Sequence, residues 1–256
     1  LALDQDVVLD KGIISLHYPE KQGRRQKKMA VQEWPEDLVK AASAHQLSQK
    51  ANFEIQTEGF IQSAGQLIDP SKLTYQLLDK SEVHTGIIIT AISKKYGIWE
   101  LETSNSRVYT ATDIVLAMGS GLPQFLEQFC LPLQKLQVTS GQLSFLPRNT
   151  KLSTLECSLQ YGGYLTPMID GIQALGASFD LSGTMQLTKK AHLHNISLLP
   201  TELQKLMPDS LELKGRVSRR LASQDRGPLV GDWHDTIHLF SALGSRGLTN
   251  APLLGL

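Results

Sequence analysis

The C-terminal stretch from Asp235 to Leu256 constrains the fold more than any other part of the chain. An apolar, strand-like run from Ile237 to Leu243 stops at Gly244-Ser-Arg-Gly247, and a helix-like segment follows. Glycine accepts backbone conformations and close approaches that a Cβ forbids, and a helix start carries N–H groups without intrahelical partners. Strand, tight glycine turn and helix N-terminus together form a corner suited to an anion or a carbonyl. The same spacing also describes an ordinary strand-to-helix connection, and spacing alone leaves both readings standing.

The chain has 256 residues, enough for one large or two modest domains with a sizeable core. Its 25 basic residues balance 25 acidic ones, so there is no global nucleic-acid footprint and RNA contact would rest on local patches. No apolar run approaches the roughly 18 residues of a membrane span. The opening Leu1-Ala-Leu-Asp-Gln-Asp6 is acidic, without the basic start of a secretory signal. Cys130 and Cys157 are the only cysteines, which argues against a disulfide framework and for a reducing, cytoplasmic setting.

Along the chain, Gly12 to Tyr18 reads as a strand and Pro35 to Lys50 as an amphipathic helix. Asp69-Pro70-Ser71 is a strong helix start, a capping carboxylate before a proline, leading to Asp79. Ile87–Ile92, Ile98–Thr103 and Arg107–Thr110 resemble an antiparallel meander, followed by a buried strand at Asp113–Met118 and a short helix at Leu122–Phe129. Strands dominate from Gln137 to Phe179. A helical pattern, interrupted at Pro200, covers Gln186–Leu206, and Arg216–Val230 and Ile237–Leu243 finish as strands. This order predicts an α+β fold with mixed α/β pieces: a large antiparallel sheet with flanking helices, formed by Leu9–Lys80 and Gln137–Leu221, beside a second part. Ile114–Ala117 and Ile237–Leu243 are expected to be near neighbours as strands of that second part.

Seven segments in register carry a family resemblance. They are Gly65-Gln-Leu-Ile-Asp-Pro70, Ile114-Val-Leu-Ala-Met-Gly119, Ser140-Gly-Gln-Leu-Ser144, Gly163-Tyr-Leu-Thr-Pro167, Leu175-Gly-Ala-Ser-Phe179, Arg220 to Gly231, and Ala242-Leu-Gly-Ser-Arg-Gly-Leu-Thr-Asn-Ala-Pro-Leu253. Together they resemble the D-amino-acid-oxidase/glycine-oxidase superfamily. More narrowly, they resemble the oxidoreductase domain of bifunctional tRNA 5-methylaminomethyl-2-thiouridine biosynthesis enzymes. The resemblance implies a substrate domain at 1–86 and 137–222, interleaved with an FAD-binding, Rossmann-like domain at 87–136 and 223–256. It implies FAD as cofactor, tRNA with a modified wobble uridine as partner, and a methyltransferase domain in the same native chain. Such flavoproteins open with strand, GxGxxG and helix. Gly119-Ser-Gly121-Leu-Pro-Gln124 only imitates that fingerprint, so the sequence reads as a fragment lacking the first βαβ segment.

The reaction implied is oxidative removal of the carboxymethyl group from 5-carboxymethylaminomethyl-(2-thio)uridine. A small-molecule amine oxidase and an inert RNA- or domain-binding module are the alternatives. Oxidation of such an arm calls for a fixed cation facing the carboxylate, most naturally an arginine with its bidentate fork. By resemblance that residue is Arg220, with Arg246 as the second cation and Tyr164 as a wall or hydrogen-bond partner of the substrate. The implied cofactor contacts are Ala117, Met118, Gly119, Gly244, Ser245, Arg246, Gly247, Leu248 and Thr249. Gln224 stands where such relatives often carry arginine. Asp180 and Asp225 read as structural. His192-Leu-His194 would share one face of a strand, but has no further ligand beside it for a metal. Basic residues at Lys21–Lys28 and at Lys214, Arg216, Arg219 and Arg220 could meet a phosphate backbone or simply face water.

Overall fold

Alternation of apolar and polar residues decides which face of the main sheet is covered. The computed structural model describes residues 3–17, 32, 34–132, 135–207 and 213–255, so the Lys21–Lys28 run lies outside the described residues. Eight strands form the sheet: β1 (Val8–Leu16), β2 (Val39–Ala42), β3 (Gly59–Ile68), β8 (Leu136–Leu146), β9 (Ser158–Gln160), β10 (Tyr164–Leu165), β11 (Gln173–Gly176) and β12 (Lys214–Ser223). Their order is β12-β8-β11-β10-β9-β1-β3-β2, antiparallel throughout except for β1 beside β9. In β1, Ile14 and Leu16 are buried while Ile13 and Ser15 are half-exposed, as expected of a strand with one covered face.

Helices cover the apolar face. Leu47 and Ala51 of α1 (Ala44–Ala51) join Ile14, Leu16, Leu159, Leu165 and Leu175 in one core. Leu199 and Leu203 enter the same core from the junction of α4 (Lys189–Leu198) and α5 (Thr201–Gln204). The expected helix at Pro35–Lys50 is corrected here: its first half supplies edge strand β2, and the helix begins only at Ala44. Ser43 sets that boundary through a capping box, in which its N–H donates to Gln46 Oε1 at 2.9 Å and its Oγ accepts from the Gln46 N–H. Upstream of the cap, pairing with β3 overrides the local helical pattern. As anticipated, α2 (Pro70–Leu78) starts on Asp69, whose carboxylate accepts from the N–H groups of Ser71 and Lys72.

A second core lies between two three-stranded sheets. β4 (Ile89–Lys95), β5 (Ile98–Thr103) and β6 (Val108–Ala111) form the expected meander. β13 (Leu229–His234), β14 (Ile237–Ser241) and β7 (Ile114–Leu116) form the other sheet, with β14 antiparallel to β13 and parallel to β7. Ile237 lies opposite Ile114, so the two segments expected to be neighbours are paired. Trp99, Leu116, Ile237 and Leu239 pack here with Leu122, Phe125 and Leu126 of α3 (Leu122–Gln128) and with Leu221 of β12. Two sequence readings fail in this region. Val115 is 61% exposed, so β7 is not buried on both faces. The run from Arg216 to Val230 is broken by a turn, where Asp225 Oδ1 accepts from Ser223 Oγ at 2.7 Å and from the Gly227 N–H at 2.9 Å.

Candidate active site

Period two along β12 puts Lys214, Arg216, Ser218 and Arg220 on the face of the main sheet opposite the helices. Arg220 pairs with Thr139 of β8, and its guanidinium lies flat over Gly141, two residues farther along that strand. A Cβ on Gly141 would stand 2.7 Å from Arg220 Cζ, so the cation occupies space that only glycine leaves free. Arg219 points to the opposite face, where its Nε donates to the Gly183 carbonyl at 2.8 Å. The expected four-residue basic zone is therefore split, leaving Lys214, Arg216 and Arg220 aligned.

Tyr164 of β10 shares the Arg220 face. It pairs with Gly176, where an added Cβ would meet the tyrosine Cζ and Oη at 3.2 Å and crowd Leu143. Burial raises the Tyr164 pKa, and the nearby Arg220 charge partly opposes that shift. The phenol thus stays a neutral donor beside the guanidinium. Sequence reasoning singled out Arg220 and Tyr164 but missed Gly141 and Gly176, which make room for them. A glycine inside a strand was the available signal. Where β8 begins and β12 ends, an open pocket of about 550 Å³ is lined by Lys135, Leu136, Gln137 and Gln224.

The glycine turns lie at the ends of two parallel strands. β7 runs through Ala117 and Met118 into a 3-10 turn at Gly119–Gly121, and β14 runs through Ala242 into another at Gly244–Arg246, followed by α6 (Gly247–Leu254). Both turns pack against β12, the strand that carries Arg220. Carboxyl ends of parallel strands are the usual ligand position in open α/β sheets. Gly119 and Gly244 have φ of 53° and 58°, and nothing lies within 4 Å of where their Cβ atoms would be. Ala117, Met118, Ser245, Arg246, Leu248 and Thr249 are exposed around these turns. No side chain caps α6, which continues directly from the 3-10 turn. An open glycine ledge flanked by apolar Met118 and Leu248 leaves room for a flat ring such as a flavin. Gly247 departs from the sequence reading: its φ of −53° is helical, and an added Cβ would make an ordinary 3.5 Å contact with Leu243.

Other candidates resolve into structure. Asp180 accepts from the Ser182 N–H at 2.9 Å and from its hydroxyl at 2.7 Å. Those two bonds hold its pKa low, as the Ser223 and Gly227 bonds do for Asp225. His192 and His194 lie on helix α4, where a spacing of two does not bring side chains together, correcting the shared strand face. His192 Nδ1 is 2.8 Å from Ser144 Oγ, to which Asn195 Nδ2 also donates, and this network pins α4 to β8. A separate pocket of about 520 Å³ has Asp10 and Glu156 in its lining but no cation to receive a carboxylate.

Three comparisons bear on this geometry. The chain is 27% identical over 281 residues to the tRNA 5-methylaminomethyl-2-thiouridine biosynthesis bifunctional protein MnmC of Aeromonas hydrophila. That match covers 95% of the chain but only 42% of the relative, so the chain spans about two-fifths of the relative's length. The fold is similar to glycine oxidase from Bacillus cereus, with TM-score 0.76 and 15% identity, covering 98% of this chain and 72% of that one. It is also similar to iminodiacetate oxidase from Chelativorans sp. BNC1, with TM-score 0.71 and 17% identity, covering 95% and 69%. The family model described as DAO, FAD dependent oxidoreductase, matches residues 2–256, and the chain belongs to that family.

Proposed function

We propose that this chain forms the substrate side and part of the cofactor side of an FAD-dependent amine oxidoreductase acting on a modified wobble uridine in tRNA. The observation that carries the reading is the joining of two features by β12: the Arg220–Tyr164 pair and the glycine ledge. Arg220 binds the carboxylate of a carboxymethylaminomethyl arm, and Tyr164 donates to the same group or to the amine. Their pairing orients the methylene between nitrogen and carboxylate toward the ledge. FAD, when bound, supplies the hydride acceptor, after which water hydrolyses the substrate imine to glyoxylate and the aminomethyl nucleoside. Ala117, Met118, Gly119, Gly244, Ser245, Arg246, Gly247, Leu248 and Thr249 would hold it. A neutral amine needs no strong protein base for this step, consistent with Asp180 and Asp225 being engaged elsewhere.

The aligned Lys214 and Arg216, continuing from Arg220 along one face, supply a path for RNA phosphates. The bifunctional relatives support a methyltransferase domain in the same native chain and a cytoplasmic setting. Among the described residues no helix is long and apolar enough to cross a membrane. We read 1–86 and 137–222 as the substrate domain, and 87–136 and 223–256 as the cofactor domain.

The test is flavin reduction in a single turnover, with hypomodified tRNA as substrate. Arg220→Ala should lose about 2–5 kcal/mol of transition-state stabilisation, and Arg220→Lys should recover only part of it. Reduction at the wild-type rate in Arg220→Ala would place the carboxylate elsewhere, with Arg246 the next candidate. The second reading, a small-molecule amine oxidase, is favoured by the glycine oxidase and iminodiacetate oxidase folds. It predicts turnover of free glycine or iminodiacetate at least as fast as that of tRNA.

A further inference from the structure

The motif Leu175-Gly-Ala-Ser-Phe179 ends on an aromatic residue that the Arg220–Tyr164 pair leaves unused. Within β11, Leu175 lies opposite Ser144 of β8. Beyond β11 the chain stays beside β8, and Asp180 lies opposite Ser140. From Ser144 to Ser140 β8 takes four steps, whereas the other chain takes five from Leu175 to Asp180. The additional residue is a bulge, and it exchanges the faces of everything beyond it. Without it Phe179 would stand opposite Ser140, on the helix-covered face. With it Phe179 stands opposite Gly141, on the face where the Arg220 guanidinium lies.

Hydrogen bonds on both sides fix that position. Ser140 and Asp180 exchange backbone bonds of 2.8 and 2.9 Å. The Ser178 N–H donates to the Gln142 carbonyl at 3.2 Å, and Ser178 Oγ accepts from the Gln142 N–H at 2.9 Å. The antiparallel pair next to a hydrogen-bonded one has its Cα atoms about 4.5 Å apart, so Phe179 begins one strand away from the guanidinium over Gly141. Its side chain is 61% exposed and belongs to neither core. Among the described residues no ring or cation stacks on it. In a carboxymethylaminomethyl substituent four bonds separate the ring from the carboxylate carbon, a reach of about 5 Å at ordinary bond lengths. One strand spacing is about the same.

We propose that Phe179 is a specificity-determining residue, stacking on the pyrimidine ring of a substrate whose carboxylate is held at Arg220. The proposal rests on the reading of Arg220 as the carboxylate anchor and adds what favours a nucleoside over a bare amino acid. An open aromatic face gains from a flat ring laid on it, and the bulge holds this face ready beside the cation.

Calorimetric titration of the purified chain tests it with three probes. They are N-methylglycine, 5-carboxymethylaminomethyluridine, and the 5,6-dihydro form of that nucleoside, whose puckered ring keeps the polar groups but cannot lie flat. The planar nucleoside should bind about tenfold more tightly than either of the others. Phe179→Ala and Phe179→Leu should each erase most of this advantage, and Phe179→Tyr should keep it, with melting curves confirming that all three variants are folded. Equal binding of the planar and dihydro nucleosides, an undiminished advantage in Phe179→Ala or Phe179→Leu, or its loss in Phe179→Tyr would overturn the proposal while leaving the carboxylate site intact. Absence of binding by all three probes, or binding unaffected by Arg220→Ala, would instead remove the Arg220 reading and this inference with it.

Discussion

Gly141 decides where the Arg220 guanidinium can lie. An alanine methyl there would meet the end of a flexible side chain, not backbone, so Arg220 would swing away without unfolding β8. Gly141→Ala should therefore mimic Arg220→Ala in weakening carboxylate binding, while its melting temperature stays within a few degrees of wild type. Titration of N-methylglycine alongside a thermal melt checks both halves. Wild-type affinity in Gly141→Ala would mean that the cation binds from another position. Arg220 and Tyr164 were legible in the sequence only through the motifs around them. Their proximity was not legible, because it depends on β12, β8, β11 and β10 being brought side by side from distant parts of the chain.

At the scale of elements, local chemistry sets some boundaries and tertiary pairing sets the rest. Asp69 holds two N–H groups at the start of α2, and Asp69→Ala should lower stability by about 1 kcal/mol in a denaturant titration. The two glycines of the C-terminal turn should respond in opposite ways. Gly244→Ala places a Cβ at φ 58° and should cost about 1 kcal/mol. Gly247→Ala at a helical φ of −53° should be neutral or stabilising by up to about 1 kcal/mol. Equal losses in the two would mean that the turn conformation is not what glycine serves there. The Asp-Pro start of α2, the meander and the β7–β14 neighbours could be read from residue types because each signal is local or strongly apolar. The region from Pro35 to Lys50 could not, since edge pairing with β3 redirected a helix-compatible segment. His192 and His194 were likewise ambiguous until the Thr188 cap, whose side chain accepts from the Ala191 N–H, fixed a helix.

At the scale of the whole molecule, two cores meet at β12, which forms an edge of the main sheet yet sends Leu221 into the second core. Within the second part, His238 of β14 bridges two carboxylates: Nδ1 is 2.7 Å from Asp232 of β13, and Nε2 is 3.2 Å from Asp113, just before β7. Hydrogen bonding to Asp113, and then to Asp232, raises the His238 pKa above its ordinary 6.5. A raised folded pKa means that the protonated imidazole contributes stability fully below about pH 6.5, and that this contribution fades as pH rises through the folded value. The Asp113 pKa is lowered, by the Thr112 hydroxyl first and by His238 second, so its contribution is lost only as pH falls below the ordinary carboxylate range. The bridge is therefore complete in mildly acidic solution, and solvent screening keeps its effect modest. Melting temperature should fall between about pH 6 and pH 8 more steeply for wild type than for His238→Gln. Two of the three tryptophans, Trp99 and Trp233, belong to the second core, so with Trp34 replaced by Phe the fluorescence reports on that core, whereas far-UV circular dichroism is dominated by the main sheet. If Leu221 couples the cores into one cooperative unit, tryptophan fluorescence and circular dichroism should melt together and show the same pH dependence. A pH-dependent shift confined to fluorescence would mean that the part around His238 unfolds separately, and parallel pH profiles for wild type and His238→Gln would remove the bridge as their cause.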